Sequence, residues 1–530
     1  MGETVDNEEK KKGFSKGLIA IIITVVVVAG GSVAAFVLLN FSEKEQYFLA
    51  EKNTVEFMGE KFEERYQQEL DWIDHSQENP VKQTLELAAE YNDPNETSGM
   101  GAVSPSQIIN NSTISITGAS DMENEQASAE LQANIGGMEI DDFDFYVTAD
   151  EVTAGLPFMD ELLQLRDEDF GNLMQKLDPN AFTGEESMNL ESLFEGTDAF
   201  NEDIEYFQEE YGKMVYNETP DDAFESTDET IQVDDESLDT EKITFHLTEK
   251  QLKEIMTTVL EKMQQDEKIK EMMRDQFVAG AMGTPAMGTP AMDDEFDQFI
   301  NEYETAIGEA INGLEDFQIP DGLTSTIWVY DDVIAQREFQ VDMGSTAEDL
   351  VSFTVNGTQL LQDDNQTFNY DLGVSDSITD GTANIAGNLS WEDDNATDSI
   401  NLTVEDVTLT YEGKESLNDG TRDFDRTFSF DQAGTSGMLI WSGSSAYDND
   451  QMNSEHHFSM ESPEISQDMF ALQVMIDSET IDSVEMPNEE NIKDLGSMSE
   501  NELTDFLEHE ITPQFQAWLF GLMGGGPGLP

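Results

Sequence analysis

Residues 325–341 read STIWVYDDVIAQREFQV, and their alternation of apolar with polar side chains sets the expectation for the fold. A period of two puts every second side chain on one face of a strand. The same texture recurs from Thr324 to about Ile481, in VSFTV (351–355), TFNYDL (367–372), SINLTV (399–404), VTLTY (407–411), RTFSF (426–430), FSMES (458–462) and ALQVMI (471–476). Asn356-Gly357 and Asn418-Asp419-Gly420 punctuate these runs as turns do. The inward set, Trp328, Phe353, Val355, Phe368, Tyr370, Leu402, Val404, Leu409 and Tyr411, reads as core. Antiparallel strands with one apolar face need a covering layer, and incomplete cover would leave a concave pocket for a lipid or another hydrophobe.

Working outward, Leu85, Leu87, Ala89 and Tyr91 alternate, as do Ala127, Ala129, Leu131, Ala133 and Ile135, which reach Gly136-Gly137 before MEIDDFDFYVTAD (138–150) resumes. This reads as strands joined by a tight hairpin. Helical spacing links Phe48, Val55, Met58, Phe62, Tyr66, Leu70 and Ile73 up to a stop before Pro80. Shorter helices are predicted over 167–177 and 201–216. In LTEKQLKEIMTTVLEKM (247–263), Thr248 and Gln251 have capping-box spacing, while Leu252, Ile255, Met256, Val259, Leu260 and Met263 make one apolar face. The repeat AMGTPAMGTPAM (281–292) reads as a flexible connector to a second helix carrying Phe296, Phe299, Ile300, Tyr303, Ile307, Ile311 and Leu314. A last helix starts at the Ser499/Glu502 capping pair and breaks near Pro513.

The predicted class is therefore α+β: an N-terminal transmembrane helix, then antiparallel sheet(s) covered by amphipathic helices. The expected divisions are a cytoplasmic tail (1–16), the membrane helix (17–41), a first α+β module (42–247) and a helical middle (248–323) with a flexible linker at 279–292. A strand-rich module with a C-terminal helix (324–523) and a disordered tail (524–530) complete the chain.

The membrane expectation rests on Gly17–Leu39, which carries no charge and is long enough to cross a core of roughly 30 Å. Lys10, Lys11, Lys12 and Lys16 precede it, so the positive-inside bias places Met1 in the cytoplasm and the bulk of the chain outside. Ser32-Val33-Ala34 offers the spacing of a signal-peptide cleavage site, but apolar residues continue through Phe36–Leu39 and favour a retained span. No cysteine is present, so disulfides and lipoprotein attachment are excluded.

Charge is the second hard constraint: 114 acidic against 24 basic residues give a formal net charge of −90. Self-repulsion on that scale opposes a compact state in dilute buffer, whereas at molar salt the screening length is about 3 Å. The composition points to a salt-adapted, halophilic bacterium. Disorder is opposed by 38% apolar residues and 31 phenylalanines. Nucleic acid is disfavoured as a partner, because its phosphates would be repelled.

Several segments, KKGFSKGLIAIIITVVVVAGGSVAAFVLLN (11–40), SPSQIINNSTISITG (104–118), QANIGGMEI (132–140), PNAFTGEESMNLESLFEG (179–196) and GLTSTIWVYDD (322–332), resemble an uncharacterised family of single-span, membrane-anchored exported proteins of Bacillaceae. That resemblance spans nearly the whole chain and implies no catalytic residues. ITFHLTEKQLKEIMTTVLEKM (243–263) followed by 322–341 is similar, in arrangement only, to exported proteins of the lipoprotein-carrier type. It implies a curved sheet with helices able to hold an apolar ligand.

Candidate chemistry is sparse. His456 and His457 are adjacent and would point to opposite faces of a strand, which does not favour a shared metal, while His75, His246 and His509 are isolated. Carboxylates are so abundant that pairs such as those in VYDDV or WEDDNATD arise by chance. Asp376, Asp380 and Gly381, like Asp448 and Asp450, read as solvated turns before calcium ligands. Met282, Met287 and Met292 are spaced as soft copper ligands but read first as linker. Lys250, Lys253, Lys262, Lys268, Lys270 and Arg274 form either a docking patch for an anionic polymer or ion pairs such as Glu249–Lys253, and the second reading is preferred. No catalytic, cofactor-binding or metal residue is assigned.

The functional expectation is a non-enzymatic binding or scaffolding protein at the cell surface, held in the cell membrane by residues 17–41. Carriage of an apolar ligand in a sheet–helix cavity and an exported carboxylate-dependent hydrolase are the alternatives.

Overall fold

The alternating segments fold into twenty strands among the described residues of the computed structural model, which are 42–93, 104–179, 182–184, 186–194, 203, 205–281, 290–346, 349–376, 380–392, 394–487 and 491–525. In chain order they are β1 Val81–Tyr91, β2 Thr113–Asp121, β3 Gln126–Ile135, β4 Met138–Thr148, β5 Glu151–Gly155, β6 Leu162–Arg166, β7 Phe224–Val233, β8 Glu236–Leu247, β9 Leu323–Tyr330 and β10 Val333–Met343. Then come β11 Val351–Leu361, β12 Asn365–Ser375, β13 Asp380–Glu392, β14 Asn395–Val404, β15 Val407–Asn418, β16 Thr421–Gln432, β17 Thr435–Asp448, β18 Gln451–Glu461, β19 Phe470–Thr480 and β20 Ile492–Asp494. The longer helices are α1 Glu43–Arg65, α2 Gln67–Glu78, α3 Asp167–Leu177, α4 Glu249–Gln265, α5 Glu267–Ala281, α6 Pro290–Gly313, α7 Glu500–Phe506 and α8 Thr512–Gly525.

The α+β expectation of helix-covered sheets is corrected by this arrangement. All twenty strands belong to one sheet, and helices cover its apolar face only in part. The physical reason lies in the connections. Many strands return beside their chain neighbour across a two-residue loop, as at Asp331-Asp332 and Asp419-Gly420, whose positive φ angles suit the twist of a hairpin. Such a meander extends one ladder strand by strand. Among the pairings of the described residues only β6 with β20 is parallel.

The membrane helix expected over 17–41 and the tail 1–16 lie outside the described residues, as do connector residues 282–289 and the end 526–530. No helix among the described residues is long and apolar enough to cross a membrane, which says nothing of strands.

The chain clusters into two compact units, each assembled from three stretches. The first joins the residues up to Glu60 with Asn201–Gln276 and Asp297–Ala386, and the second joins Lys61–Phe200, Phe277–Phe296 and Gly387–Pro530.

In the first unit, β7 to β12 pair in chain order. Helix α4 begins as expected: Thr248 accepts from the Gln251 amide while the Gln251 side chain accepts from the Thr248 amide. Its face of Leu252, Ile255, Met256, Val259 and Leu260 packs with Ile243, Leu323, Ile327 and Val341 of the sheet in one core. Phe317, Ile243, Ile307, Ile319 and Ile327 are fully buried, so the space between sheet and helices is filled. A smaller core lies on the opposite sheet face, where Ile231, Val233, Leu238 and Trp328 meet Ala335 and Leu360. The turn expected at Asn356-Gly357 is instead the middle of β11. Glycine is needed there for close approach, since a Cβ would stand 2.3 Å from the Tyr370 ring.

In the second unit, β14 to β16 and β16 to β19 pair in order, β19 pairs β1, and β1 to β6 continue the ladder. Register places Leu409, Phe430, Tyr411, Phe428, Leu439 and Met460 on one face and Thr410, Ser429, Thr427 and Ser442 on the other. Helix α2 covers one end of the apolar face, where Trp72 meets Val81 and Met452.

Candidate functional site

Polar groups buried beneath the apolar faces are the first place to look for chemistry, because a buried charge needs a partner. In the first unit Tyr47 donates to Ser325 Oγ (2.7 Å), Glu51 pairs with Arg337, and Tyr370 donates to Gln359 Oε1 (2.9 Å). Burial raises the Tyr47 phenol and pushes Tyr370 up to about 12. A second cluster centres on Asp266, whose Oδ2 accepts from Tyr206 and Tyr211 (both 2.6 Å) and whose Oδ1 accepts the Lys268 amide (3.0 Å). Burial acts to raise the Asp266 carboxyl, but the two phenols and the amides hold it below its usual value. Both clusters fasten helices to neighbouring elements, and neither presents an open reactive group.

The second unit gathers three of the six arginines of the chain. Arg65 of α1 donates twice to Asp398 (3.1 and 2.7 Å) and once to Glu415 (3.3 Å). Arg422 reaches Glu69 (2.6 Å) and Glu415 (3.2 Å), and Arg426 grips Glu415 Oε1 through two nitrogens (3.1 and 2.6 Å). Tyr66 also donates to Glu415 (3.1 Å). Burial alone would raise Glu415, but Arg65 and Arg426 hold it below the usual carboxylate range. Three cations face three anions, so the cluster is neutral and locks the helical segment to the sheet. None of these residues was marked by the sequence. WEDDNATD contains Asp398, yet nothing in the text separates it from its acidic neighbours.

Next to the arginines stands an aromatic ladder. Arg426 lies over the Phe424 ring (4.7 Å) and the Trp441 ring (4.6 Å), and Trp441 stacks on Phe458 with centroids 5.6 Å apart. Trp441 Nε1 donates to His456 Nδ1 (3.2 Å), which leaves His456 Nε2 to donate to Ser454 Oγ (3.1 Å). That pair of bonds selects the neutral imidazole. Burial and the nearby Arg426 lower its pKa in the same sense.

Beyond the ladder the apolar face opens. Val404, Leu409, Phe428, Phe430, Leu439 and Met460, from five adjacent strands, are 38–46% exposed. Val404 and Leu409, expected in the core, are therefore surface residues. Large side chains left open together mark a contact surface and not a packing accident. At one end of these strands an open hollow of about 380 Å³ is lined by Thr408, Thr410, Ser429, Phe430, Met438 and Glu461, among others.

The other sequence candidates take structural places. His457 faces Glu455 (3.0 Å), His75 bonds Thr480 (2.8 Å) and His246 bonds Thr324 (3.0 Å). No metal-holding group of three His, Cys, Asp or Glu occurs among the described residues. Lys250, Lys253, Lys262, Lys268 and Lys270 pair with Glu254, Glu249, Glu210, Asp203 and Glu304. Met282 and Met287 lie outside the described residues.

No family model matches the sequence, and no curated protein matches it. Among solved structures the chain is similar to Pseudomonas aeruginosa OccK3 (OpdO), at 7% identity over 76% of this chain and 95% of that one, with a TM-score of 0.24. It is similar also to a BenF-like porin from Pseudomonas fluorescens Pf-5, at 7% identity over 76% and 98%, with a TM-score of 0.23. A loop-deletion mutant of OmpT, an outer membrane protein of Vibrio cholerae, gives 9% identity over 76% and 98%, with a TM-score of 0.16. Likeness at these scores carries no functional argument.

Proposed function

We propose that the chain works without catalysis as a lipid-contacting β-sheet protein, whose working surface is the open apolar face of β14 to β18. The six half-exposed side chains there carry the reading. Covering them removes on the order of 400 Å² of apolar surface from water, about 10 kcal/mol at ~25 cal/mol/Å² before ordering costs. A neutral hydrocarbon phase suits that face better than a second copy of a chain with a net charge of −90, which would be repelled.

Three earlier expectations are corrected at this point. The single-pass cell-membrane protein with its N-terminus in the cytoplasm, acting as a surface scaffold through residues 17–41, gives way to a strand-built fold that meets lipid through a sheet. Carriage of an apolar ligand in a sheet–helix cavity fails because fully buried side chains occupy that space in the first unit, and the cell-wall partner expected of a surface scaffold falls with the single-span reading. The carboxylate hydrolase finds no support: Asp398 is taken up by Arg65, and Glu415 by Arg65, Arg422 and Arg426, so neither carboxylate is left open to a substrate.

Flotation of the purified full chain with phosphatidylcholine vesicles tests the proposal. Phe428→Asp with Leu439→Asp, directly opposite each other on β16 and β17, should lower partitioning about ten-fold or more, since each removes ~1.5–3 kcal/mol of apolar contact. Unchanged partitioning of this variant, or no flotation of the parent chain, would end the proposal.

A further inference from the structure

The C-terminal helix α8 is apolar and yet stands open. From Ile511 to Pro530 the chain carries no ionisable side chain, although 26% of its residues are charged. Among the described side chains of α8 only Trp518 and Leu522 are half-buried: Trp518 meets Phe143 and Phe158, with centroids 6.0 and 5.8 Å apart, and Phe515 also meets Phe158 (5.5 Å). Leu519 is 38% exposed and Phe520 69%, the highest among the large apolar side chains of the described residues. A helix that is apolar on its outer side as well as its inner side belongs in a core or in lipid.

We infer that α8 is a membrane-interface helix, lying in the headgroup boundary with Leu519 and Phe520 turned into the acyl chains. It rests on the lipid reading above for its partner, but on separate residues. Its fourteen residues extend about 21 Å at 1.5 Å per residue, too short for a core of roughly 30 Å, so it lies along the surface and does not cross. Its start is fixed. Lys493 bridges Glu161 (2.9 Å) and Glu510 (2.7 Å) and sits over the Phe506 ring (4.2 Å). The π turn Leu507–Ile511 lets the helix pass Pro513, and Thr512 Oγ1 donates to the Leu507 carbonyl (2.7 Å). Absence of charge spares this helix the desolvation cost that a charged segment would meet on entering the boundary of the acyl chains.

The cysteine-free chain accepts a single label, so Phe520→Cys carrying the fluorophore NBD reports on α8, and Leu409→Cys carrying the same label reports on the sheet. Phosphatidylcholine vesicles should blue-shift the probe at 520 and shield it from dithionite. Leu519→Asp with Phe520→Asp should lower partitioning about ten-fold without moving the melting temperature. Shielding at 520 but not at 409 supports the helix and removes the sheet reading. Shielding at 409 but not at 520 overturns the helix and leaves the sheet, and shielding at neither overturns both. Burial of the 520 label that rises with protein concentration in the absence of vesicles would show a second copy covering α8 and overturn the inference.

Discussion

Glu415 shows how one carboxylate organises its surroundings: its side chain is 1% exposed and takes bonds from Arg65, Arg422, Arg426 and Tyr66. Glu415→Gln removes the charge that three arginines face and leaves buried cations uncompensated, a situation that costs about 3–5 kcal/mol. Urea unfolding should show a loss of that size, and a change below about 1 kcal/mol would contradict the account. Asp266 makes a pH prediction. Its folded pKa is lowered, so its contribution to stability is full above the unfolded value of about 3.9 and is lost as pH falls through the folded value. Melting temperature between pH 6 and pH 2.5 should therefore fall less steeply for Asp266→Asn than for the parent chain, and parallel slopes would refute this.

At the scale of elements, local chemistry was legible where it is self-contained. Capping pairs Thr248/Gln251 and Ser499/Glu502 are both formed, and Asp419-Gly420 turns the chain between β15 and β16. Asn356-Gly357 misled because a glycine admitting the Tyr370 ring has the same letters as a glycine in a turn. Near Pro513 the helix continues instead of breaking, because a π turn absorbs the proline. One turn departs from the usual residues: Ala433 takes φ +49 ahead of Gly434. A left-handed alanine is strained, so Ala433→Gly should stabilise the β16–β17 hairpin by about 0.5–1 kcal/mol. Thermal unfolding would show it, and a destabilised variant would count against the turn geometry.

Across the whole molecule the net charge of −90 predicts that stability depends on salt. Melting temperature should fall steadily as monovalent salt drops from molar to millimolar, because the screening length grows from about 3 Å to several tens of ångströms. Equal melting temperatures at both ends would refute the repulsion argument. Charge, the strand alternation and the helix caps were fixed by sequence alone, since each depends on residues close together in the chain or on a simple count. Tertiary structure alone decided that neighbouring strands extend one sheet, that arginines at 65, 422 and 426 converge on Glu415, and that Leu409 and Phe428 remain open while Ile243 and Ile327 are covered. An alternating pattern states that a strand has an apolar face. Whether a helix, lipid or nothing covers that face depends on segments hundreds of residues away, and period-two text carries no record of them.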